Sequence, residues 1–262
     1  MKTLAERVSE YLKELRGRRG TKGLARVEGF FDNLLGAAPA KVDDARQRQG
    51  TAGPLWIPGL RAQPWFEAAE FPWLAEVAAA RGELLAEGGA LLEKGLLVRS
   101  QEGRTDLDYK DWVAFDLMTF DFDLGPGRFG CEVLTFPENR ARAPKAVAQL
   151  ERHPFIGDCF YSALLPGGVV SPHYSSFNGK LICHLGLSVP GDCGIRVAGE
   201  ERRWEDGKFL IFDDTYLHDT WNRSRRPRLL FHTGLWHPDL TPLEIEALTG
   251  WFARSSRDGQ PR

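Results

Sequence analysis

The sequence predicts a mainly β protein, in which a closed or sandwiched antiparallel sheet is flanked by α-helices. The main observation lies between Trp112 and His237, where short apolar runs recur between turn signals such as Pro-Gly, Gly-Gly and Asp-Gly. Runs this short are typical of strands. Apolar residues at helical spacing occur instead in the N-terminal region and over Pro72–Gly95. With 42% hydrophobic and 27% charged residues, the composition is that of a globular protein and excludes disordered and fibrous classes.

The N-terminal region predicts a helical hairpin. Apolar residues recur at helical spacing over Leu4–Leu15 and again over Leu24–Leu35, and the basic, glycine-containing break Arg16–Lys22 separates the two sets. The polar stretch Gly36–Gly53 is typical of a connector. We therefore assign residues 1–50 to a helical N-terminal extension, residues 51–252 to the main domain and residues 253–262 to a polar tail.

The first helix expected in the main domain is a long one over Pro72–Gly95. Six later segments predict strands, namely Trp112–Phe120, Phe160–Leu165, Lys180–Val189, Gly194–Val197, Lys208–Phe212 and Arg228–Trp236. A helix over Arg142–His153 should interrupt them. A last helix, Thr241–Phe252, carries a capping threonine and has Pro242 in its first turn.

Charge and cysteine content exclude several classes of partner. Lys and Arg number 34 against 36 Asp and Glu, so the net charge of −2 supplies no field that would attract nucleic acid. The sequence contains no apolar run of transmembrane length and no apolar signal core, so no membrane partner is expected. Its four cysteines form no CxxC pair. These features predict a cytoplasmic protein with reduced thiols.

Two histidines stand where a metal site could form. His173 follows Pro172 at the end of a glycine-rich loop, and His218 lies in a polar turn after the run Phe209–Phe212. Two imidazoles converging in the mouth of a small barrel would suit Fe(II). Most non-haem Fe(II) oxygenases add a carboxylate two residues after the first histidine, where this chain has Ser175. From spacing alone, a hydrogen-bonded surface or capping role is the more common one for a histidine near a turn.

Arg228 strengthens the metal interpretation. It lies ten residues after His218 on the next apolar strand. An arginine that points inward from a buried strand needs an anion, because an unpaired buried charge costs free energy. A small dicarboxylate held by the guanidinium fork would fit. The alternative is an arginine at the sheet edge that bonds to Asp213, Asp214 or Glu205.

Several ordered motifs connect these residues to a known family. They include Pro172-His173-Tyr174, His184-Leu185-Gly186-Leu187, Trp204-Glu205-Asp206-Gly207-Lys208, Ile211-Phe212-Asp213-Asp214 and Trp236-His237-Pro238. Over roughly residues 55–245 the chain resembles the catalytic domain of the aspartyl/asparaginyl β-hydroxylase family. The resemblance implies a 2-oxoglutarate-dependent Fe(II) dioxygenase with a double-stranded β-helix (jelly-roll, cupin-like) core. In that family two histidines hold the iron without the usual carboxylate.

The resemblance also implies a role for individual residues. The catalytic set would be His173, His218 and Arg228, with the two histidines as iron ligands. The cosubstrate 2-oxoglutarate would contact Trp112, Ser162, His184 and Arg228, and its distal carboxylate would be held by Arg228 and Ser162.

The implied substrate residues depart from the family pattern. The animal enzymes use basic residues to bind the substrate carboxylate, and the corresponding positions here are Lys180 and Ile182. We therefore expect a substrate with a less acidic or larger apolar group near Ile182. Asp213 and Asp214 would either orient the metal site or cap their own turn, and His232 is assigned a structural role.

The expected function is hydroxylation of an unactivated carbon in an amino-acid, peptide, protein or lipid-linked substrate. Dioxygen would be the co-reactant, and succinate and carbon dioxide would be released. Two alternatives come from other classes. In a 2-oxoglutarate-dependent halogenase, chloride would occupy the position that the missing carboxylate opens beside Ser175. In a non-catalytic, cupin-like ligand-binding protein, His173, His218 and Arg228 would be incidental.

Overall fold

The computed structural model describes residues 2–37, 41–50, 53–98, 109–125 and 128–255. These residues form a ten-stranded antiparallel sheet that curls around a cavity, with helices packed against it. The mainly β, jelly-roll prediction is confirmed.

The strands in chain order are β1 (Trp65–Phe66), β2 (Tyr109–Gly125), β3 (Arg128–Thr135), β4 (Cys159–His173), β5 (Lys180–Ser188), β6 (Cys193–Val197), β7 (Glu200–Arg202), β8 (Phe209–Phe212), β9 (His218–Asn222) and β10 (Arg228–Trp236). They pair in the order β1-β8-β5-β10-β4-β9-β6-β7, and β2 pairs with both β3 and β4. All six predicted runs form strands. The sequence pattern missed β1, β3, β7 and β9, and β9 was missed because its residues are mostly polar.

Strand β4 is longer than its apolar run suggested. It continues through Pro166–Ser171, which the sequence predicted as a loop. Gly167 has a φ of 77° there, and the pairing with β2 jumps from Leu164 to Val169. A bulge of this kind lets a strand absorb glycine and proline without ending. His173 is therefore the last residue of a strand rather than part of a loop.

The helices in chain order are α1 (Leu4–Arg19), α2 (Ala25–Leu34), α3 (Leu74–Ala79), α4 (Arg81–Glu93), α5 (Pro137–Arg142), α6 (Pro144–Arg152) and α7 (Pro242–Arg254). The predicted hairpin is confirmed as α1 and α2. The predicted long helix is divided at Ala80, and the predicted helix over Arg142–His153 is present as α6, preceded by the short α5. Thr241 caps α7 in a capping box with Glu244.

Two apolar cores fix the helices to the sheet. One lies between the sheet and α3, α4 and α6, and the other lies under α1, α2 and α7. In the second core, Phe31 of α2 meets Trp251 of α7 edge to face with ring centroids 5.1 Å apart. The division into 1–50, 51–252 and 253–262 stays a prediction, and residues 256–262 of the predicted tail lie outside the described residues.

All four cysteines are buried thiols, one on each of four consecutive strands: Cys131 on β3, Cys159 on β4, Cys183 on β5 and Cys193 on β6. Burial raises the pKa of the Cys159 thiol to about 12 and also raises the pKa of Cys193. No helix within the described residues combines the length and apolar character needed to cross a bilayer.

Candidate active site

The sheet surrounds a cavity of about 350 Å³. Its wall includes every residue that the sequence predicted for the site: Trp112, Ser162, His173, Lys180, Ile182, His184, His218 and Arg228. Further polar residues that line it are Asp158, Ser175, Asp214, Thr220 and His232. The structure thus brings residues from five strands, β2, β4, β5, β9 and β10, to one place.

The two candidate metal ligands face each other across neighbouring strands. His173 on β4 and His218 on β9 are Cα partners, and their ring centroids are 4.0 Å apart. Nδ1 of His173 lies 2.8 Å from the carbonyl oxygen of Ser171, and Nδ1 of His218 lies 2.9 Å from that of Tyr216. Because a carbonyl oxygen can only accept, each Nδ1 must carry the proton. In a neutral ring the lone pair is then on Nε2, as metal binding requires.

The surroundings of the two rings favour the neutral form of His218. Burial, with a contribution from His173, lowers the pKa of His218 to about 3. Within the described ranges, no group of three or more His, Cys, Asp or Glu side chains is arranged to hold a metal. Ser175 lines the cavity, and its backbone N–H donates to the carbonyl oxygen of Asp214 at 2.7 Å.

Arg228 is buried, with 2% of its surface exposed. Its Nη2 donates to Ser162 Oγ at 3.2 Å, and its guanidinium lies 4.7 Å from the ring centre of Trp204. In the described part of the chain, its Nε has no hydrogen-bond partner. Burial lowers the pKa of Arg228 to about 10, so the side chain is still charged at neutral pH. A charged, buried guanidinium with an unused donor is suited to an anion.

The carboxylates that the sequence offered to Arg228 have other partners. Glu205 pairs with Lys208 at 2.6 Å. Asp213 accepts from the backbone N–H of Thr215 at 2.8 Å, which is the turn-capping role that the sequence left open. Asp214 lies beside Lys180 instead. The arginine therefore belongs to the cavity and not to the sheet edge.

Ser162 joins Arg228 to Trp112. Its Oγ accepts from Trp112 Nε1 at 3.0 Å as well as from Arg228 Nη2. With two donors directed at this oxygen, the hydroxyl proton of Ser162 is available to a third group. Strand β4, which carries Ser162, lies between β2 and β10, so the ladder itself aligns the three side chains.

His184 belongs to a hydrogen-bonded chain that includes a residue assigned to structure from the sequence. Trp204 Nε1 lies 3.2 Å from His184 Nδ1, and His184 Nε2 lies 2.9 Å from His232 Nδ1. An indole N–H can only donate, so His184 Nδ1 accepts and its Nε2 carries the proton. His232 Nδ1 then accepts, which leaves its Nε2 as a donor. Burial lowers the pKa of His184 well below its usual range, consistent with this neutral chain.

His232 is thus a cavity residue that sequence reasoning missed. It lies directly opposite His184 in the β5–β10 ladder, and its ring stacks on Phe160 at 4.0 Å between centroids. The available signal was its position on β10, an even number of residues after Arg228, which puts both side chains on one face of the strand.

Lys180 and Ile182, the implied substrate residues, differ in their surroundings. Lys180 Nζ donates to Asp158 Oδ2 at 3.1 Å and lies 3.7 Å from Asp214 Oδ2. Ile182 is opposite Phe212 in the β5–β8 ladder and belongs to an apolar cluster. The cavity wall therefore has an ionic part and an apolar part side by side.

The predicted connector reaches the rim of the site. Gln47 Nε2 donates to Asp213 Oδ2 at 3.0 Å, and Arg48 Nη1 donates to the carbonyl oxygen of Ser175 at 2.9 Å. The Arg48 guanidinium lies 5.1 Å from the ring centre of Tyr174. These contacts join segments far apart in the chain, so no local pattern could indicate them.

A curled antiparallel sheet with two facing histidines and a buried arginine in its cavity defines a jelly-roll protein with an enzyme-like site. The model of the Aspartyl/Asparaginyl beta-hydroxylase family matches residues 80–238. The chain therefore belongs to the aspartyl/asparaginyl beta-hydroxylase family, which is a family of hydroxylases.

Relatives of the chain include two differently named hydroxylases. It is 34% identical over 204 residues to the aspartyl/asparaginyl beta-hydroxylase of Mus musculus, a match that covers 73% of this chain and 26% of that protein. It is 31% identical over 185 residues to the ornithine lipid ester-linked acyl 2-hydroxylase of Rhizobium tropici, covering 68% and 62%. The chain thus spans about a quarter of the mouse relative. A Pseudomonas putida prolyl-4-hydroxylase structure matches 67% of this chain and 93% of its own, with 17% identity and a TM-score of 0.37.

Proposed function

We propose that the chain is an Fe(II)- and 2-oxoglutarate-dependent dioxygenase. It would hydroxylate an unactivated carbon of an amino-acid, peptide, protein or lipid-linked substrate and release succinate and carbon dioxide. One observation carries the proposal: two histidines in the metal-binding tautomer share a cavity with a buried, charged arginine whose Nε is unused among the described residues. Membership of a hydroxylase family supports the same reaction type.

The residues present fit both groups. Nε2 of His173 and Nε2 of His218 would hold iron, and the carbonyl partners of their Nδ1 atoms fix the ring orientation. The Arg228 fork, with the Ser162 hydroxyl as a further donor, would hold the distal carboxylate of 2-oxoglutarate. When bound, iron and 2-oxoglutarate supply the oxidising chemistry with dioxygen.

The side chains of the protein position the groups of the site. Trp112 orients Ser162 through its indole N–H, and Trp204 fixes the tautomer of His184, which lies beside the cosubstrate by resemblance. Apolar side chains, Ile182 and Phe212 among them, line the wall where a substrate carbon would lie. An apolar wall at this place would limit the water beside the reacting carbon.

The proposal is tested by supplying the protein with Fe(II) and 2-oxoglutarate and measuring succinate, together with a substrate screen scored by the mass of one added oxygen atom. We expect His173→Ala and His218→Ala each to abolish succinate release and to lower the iron bound per chain, because one imidazole cannot retain the metal. His153→Ala, which removes an imidazole outside the cavity, is the control.

The outcomes separate the alternatives. Full iron binding and succinate release in both single variants would contradict the metal assignment. A protein that binds 2-oxoglutarate and iron but never releases succinate would be the non-catalytic binding module. A chlorinated product formed only in chloride buffer would make the chain a halogenase.

A further inference from the structure

Lys180 is a buried cation that already has two anionic partners. Its residue is 8% exposed, and its Nζ lies 3.1 Å from Asp158 and 3.7 Å from Asp214. Asp158 is fixed in turn, because its Oδ1 accepts from the Thr119 hydroxyl and from the backbone N–H of Phe120 at 3.3 Å. We call Asp158, Lys180 and Asp214 the Lys180 cluster.

The charge of the cluster argues against a carboxylate ligand. Within the Lys180 cluster, two carboxylates share one ammonium group. A substrate carboxylate could pair with Lys180 only by displacing Asp158 or Asp214, or by lying close to both of them. Either arrangement is unfavourable in a partly desolvated site, where like charges repel strongly.

Asp214 supplies the binding group. It is 6% exposed, it lines the cavity, and within the described residues its Oδ1 has no hydrogen-bond partner. A buried carboxylate oxygen without a donor is costly, so an N–H donor from a ligand that approached Asp214 would stabilise it. Burial raises the pKa of Asp214 to about 6, which leaves the carboxylate mostly ionised at neutral pH.

The cavity wall beside the Lys180 cluster indicates the chemistry of the rest of the ligand. Ile182 and Phe212 are partners in the β5–β8 ladder and line the same cavity, so an apolar surface adjoins the Lys180 cluster. A ligand that satisfies both parts has a cationic donor at one end and an apolar chain beside it.

We propose that the substrate carries a protonated amine that binds Asp214 and an apolar portion that lies against Ile182 and Phe212, so that this cavity discriminates against carboxylate substrates. The inference rests on the hydroxylase function proposed above, whose cavity it shares, and it concerns only the class of substrate.

The test compares hexylamine with hexanoate, two probes of equal chain length and opposite charge. The protein is first saturated with 2-oxoglutarate and Zn(II), so that Arg228 is already occupied, and affinities are measured by calorimetry. We expect hexylamine to bind at least about tenfold more tightly than hexanoate. Asp214→Asn should abolish this preference, and Asp158→Asn should increase the affinity for hexanoate by releasing Lys180.

The control is Asp192→Asn, which removes an exposed carboxylate outside the cavity and should keep the wild-type preference. Equal or tighter binding of hexanoate by the wild-type protein overturns the inference, even if a variant fails to fold. So does an unchanged preference in a folded Asp214→Asn. Succinate release, measured separately, shows whether the dioxygenase proposal itself holds, so the two can fail independently.

Discussion

Among the described residues, the Arg228 guanidinium is held by neutral partners, the Ser162 hydroxyl and the Trp204 ring, rather than by a carboxylate. A buried charge with partners of this kind is less stable than one in an ion pair. The binding of an anion should therefore stabilise the folded protein as well as fill the cavity, by an amount that grows with the logarithm of ligand concentration.

We predict that Arg228→Ala weakens 2-oxoglutarate binding by at least about 2 kcal/mol, roughly thirtyfold, because a desolvated carboxylate loses its partner. Arg228→Lys keeps the charge but loses the bidentate fork, so it should show a raised KM for 2-oxoglutarate with activity retained. Calorimetric titration measures the affinity, and steady-state kinetics measure the KM.

The matched control is Arg196→Ala. This arginine also lies over a tryptophan ring, at 5.8 Å from Trp221, but it already pairs with Glu201 and lies outside the cavity. An unchanged affinity for 2-oxoglutarate in Arg228→Ala would move the anion site elsewhere.

Single residues of the site were predictable to different degrees. His173, His218 and Arg228 stand in motifs that a family resemblance can identify, and the structure brings them together. His232 and Asp158 stand in no such motif. His232 joins the site through its hydrogen bond with His184, and Asp158 joins it through its ion pair with Lys180. Both contacts form only once the strands are in register.

Among the elements, six strands were predictable from their short, largely apolar runs, and the polar strand β9 was not. An apolar run in the sequence indicates a buried strand. The buried positions of β9 instead carry a histidine, a threonine and an asparagine, and the first two of these line the cavity. The bulge in β4 was hidden for a related reason, since proline and glycine normally indicate a loop. Both misjudged segments carry a histidine of the site.

Helix α4 offers a test of packing between one element and the sheet. A Cβ atom at Gly88 would lie 2.7 Å from Cδ1 of Tyr161, whereas one at the adjacent Gly89 would meet nothing within 4 Å. We predict that Gly88→Ala lowers the free energy of unfolding by about 1 to 2 kcal/mol through overpacking. Gly89→Ala should raise it by about 0.5 to 1 kcal/mol through helix propensity.

The two glycine variants control for each other, because they add the same methyl group to the same helix. Denaturant unfolding with a shared m-value measures both. Equal effects of the two substitutions would show that the close approach of α4 to Tyr161 is not maintained in solution.

For the whole molecule, the sequence predicted the helices but not their partners. Helices α1 and α2 share a core with α7 at the other end of the described chain, and Tyr11 donates to the carbonyl oxygen of Ala247 at 2.6 Å. Periodicity shows which face of a helix is apolar, but it contains no information about which distant element covers that face.

The stability of the whole molecule should depend on Asp213. Burial raises the pKa of its carboxyl from 3.8 to about 7. Between pH 3.8 and about pH 7, the carboxyl is therefore protonated in the folded protein and ionised in the unfolded chain. Its contribution to stability is therefore greatest below about pH 4 and is lost as the pH rises through about 7. We predict that the stability of Asp213→Asn relative to wild type increases with pH over this window, by at most about 1.4 kcal/mol per pH unit.

Denaturant titrations at several pH values measure this difference. A constant offset for Asp213→Asn across the same range would mean that the carboxyl is ionised throughout in the folded protein.

The four buried thiols can report the order in which the strands of the sheet unfold. Alkylating reagents attack the thiolate, which burial suppresses, so each cysteine should react only when its own strand opens. Cys131 lies on β3, which pairs within the described residues only with β2, whereas Cys183 lies on β5 between β8 and β10. Mass spectrometry of iodoacetamide-treated protein should therefore find label on Cys131 before Cys183, and so give the order in which the sheet comes apart without any engineered probe.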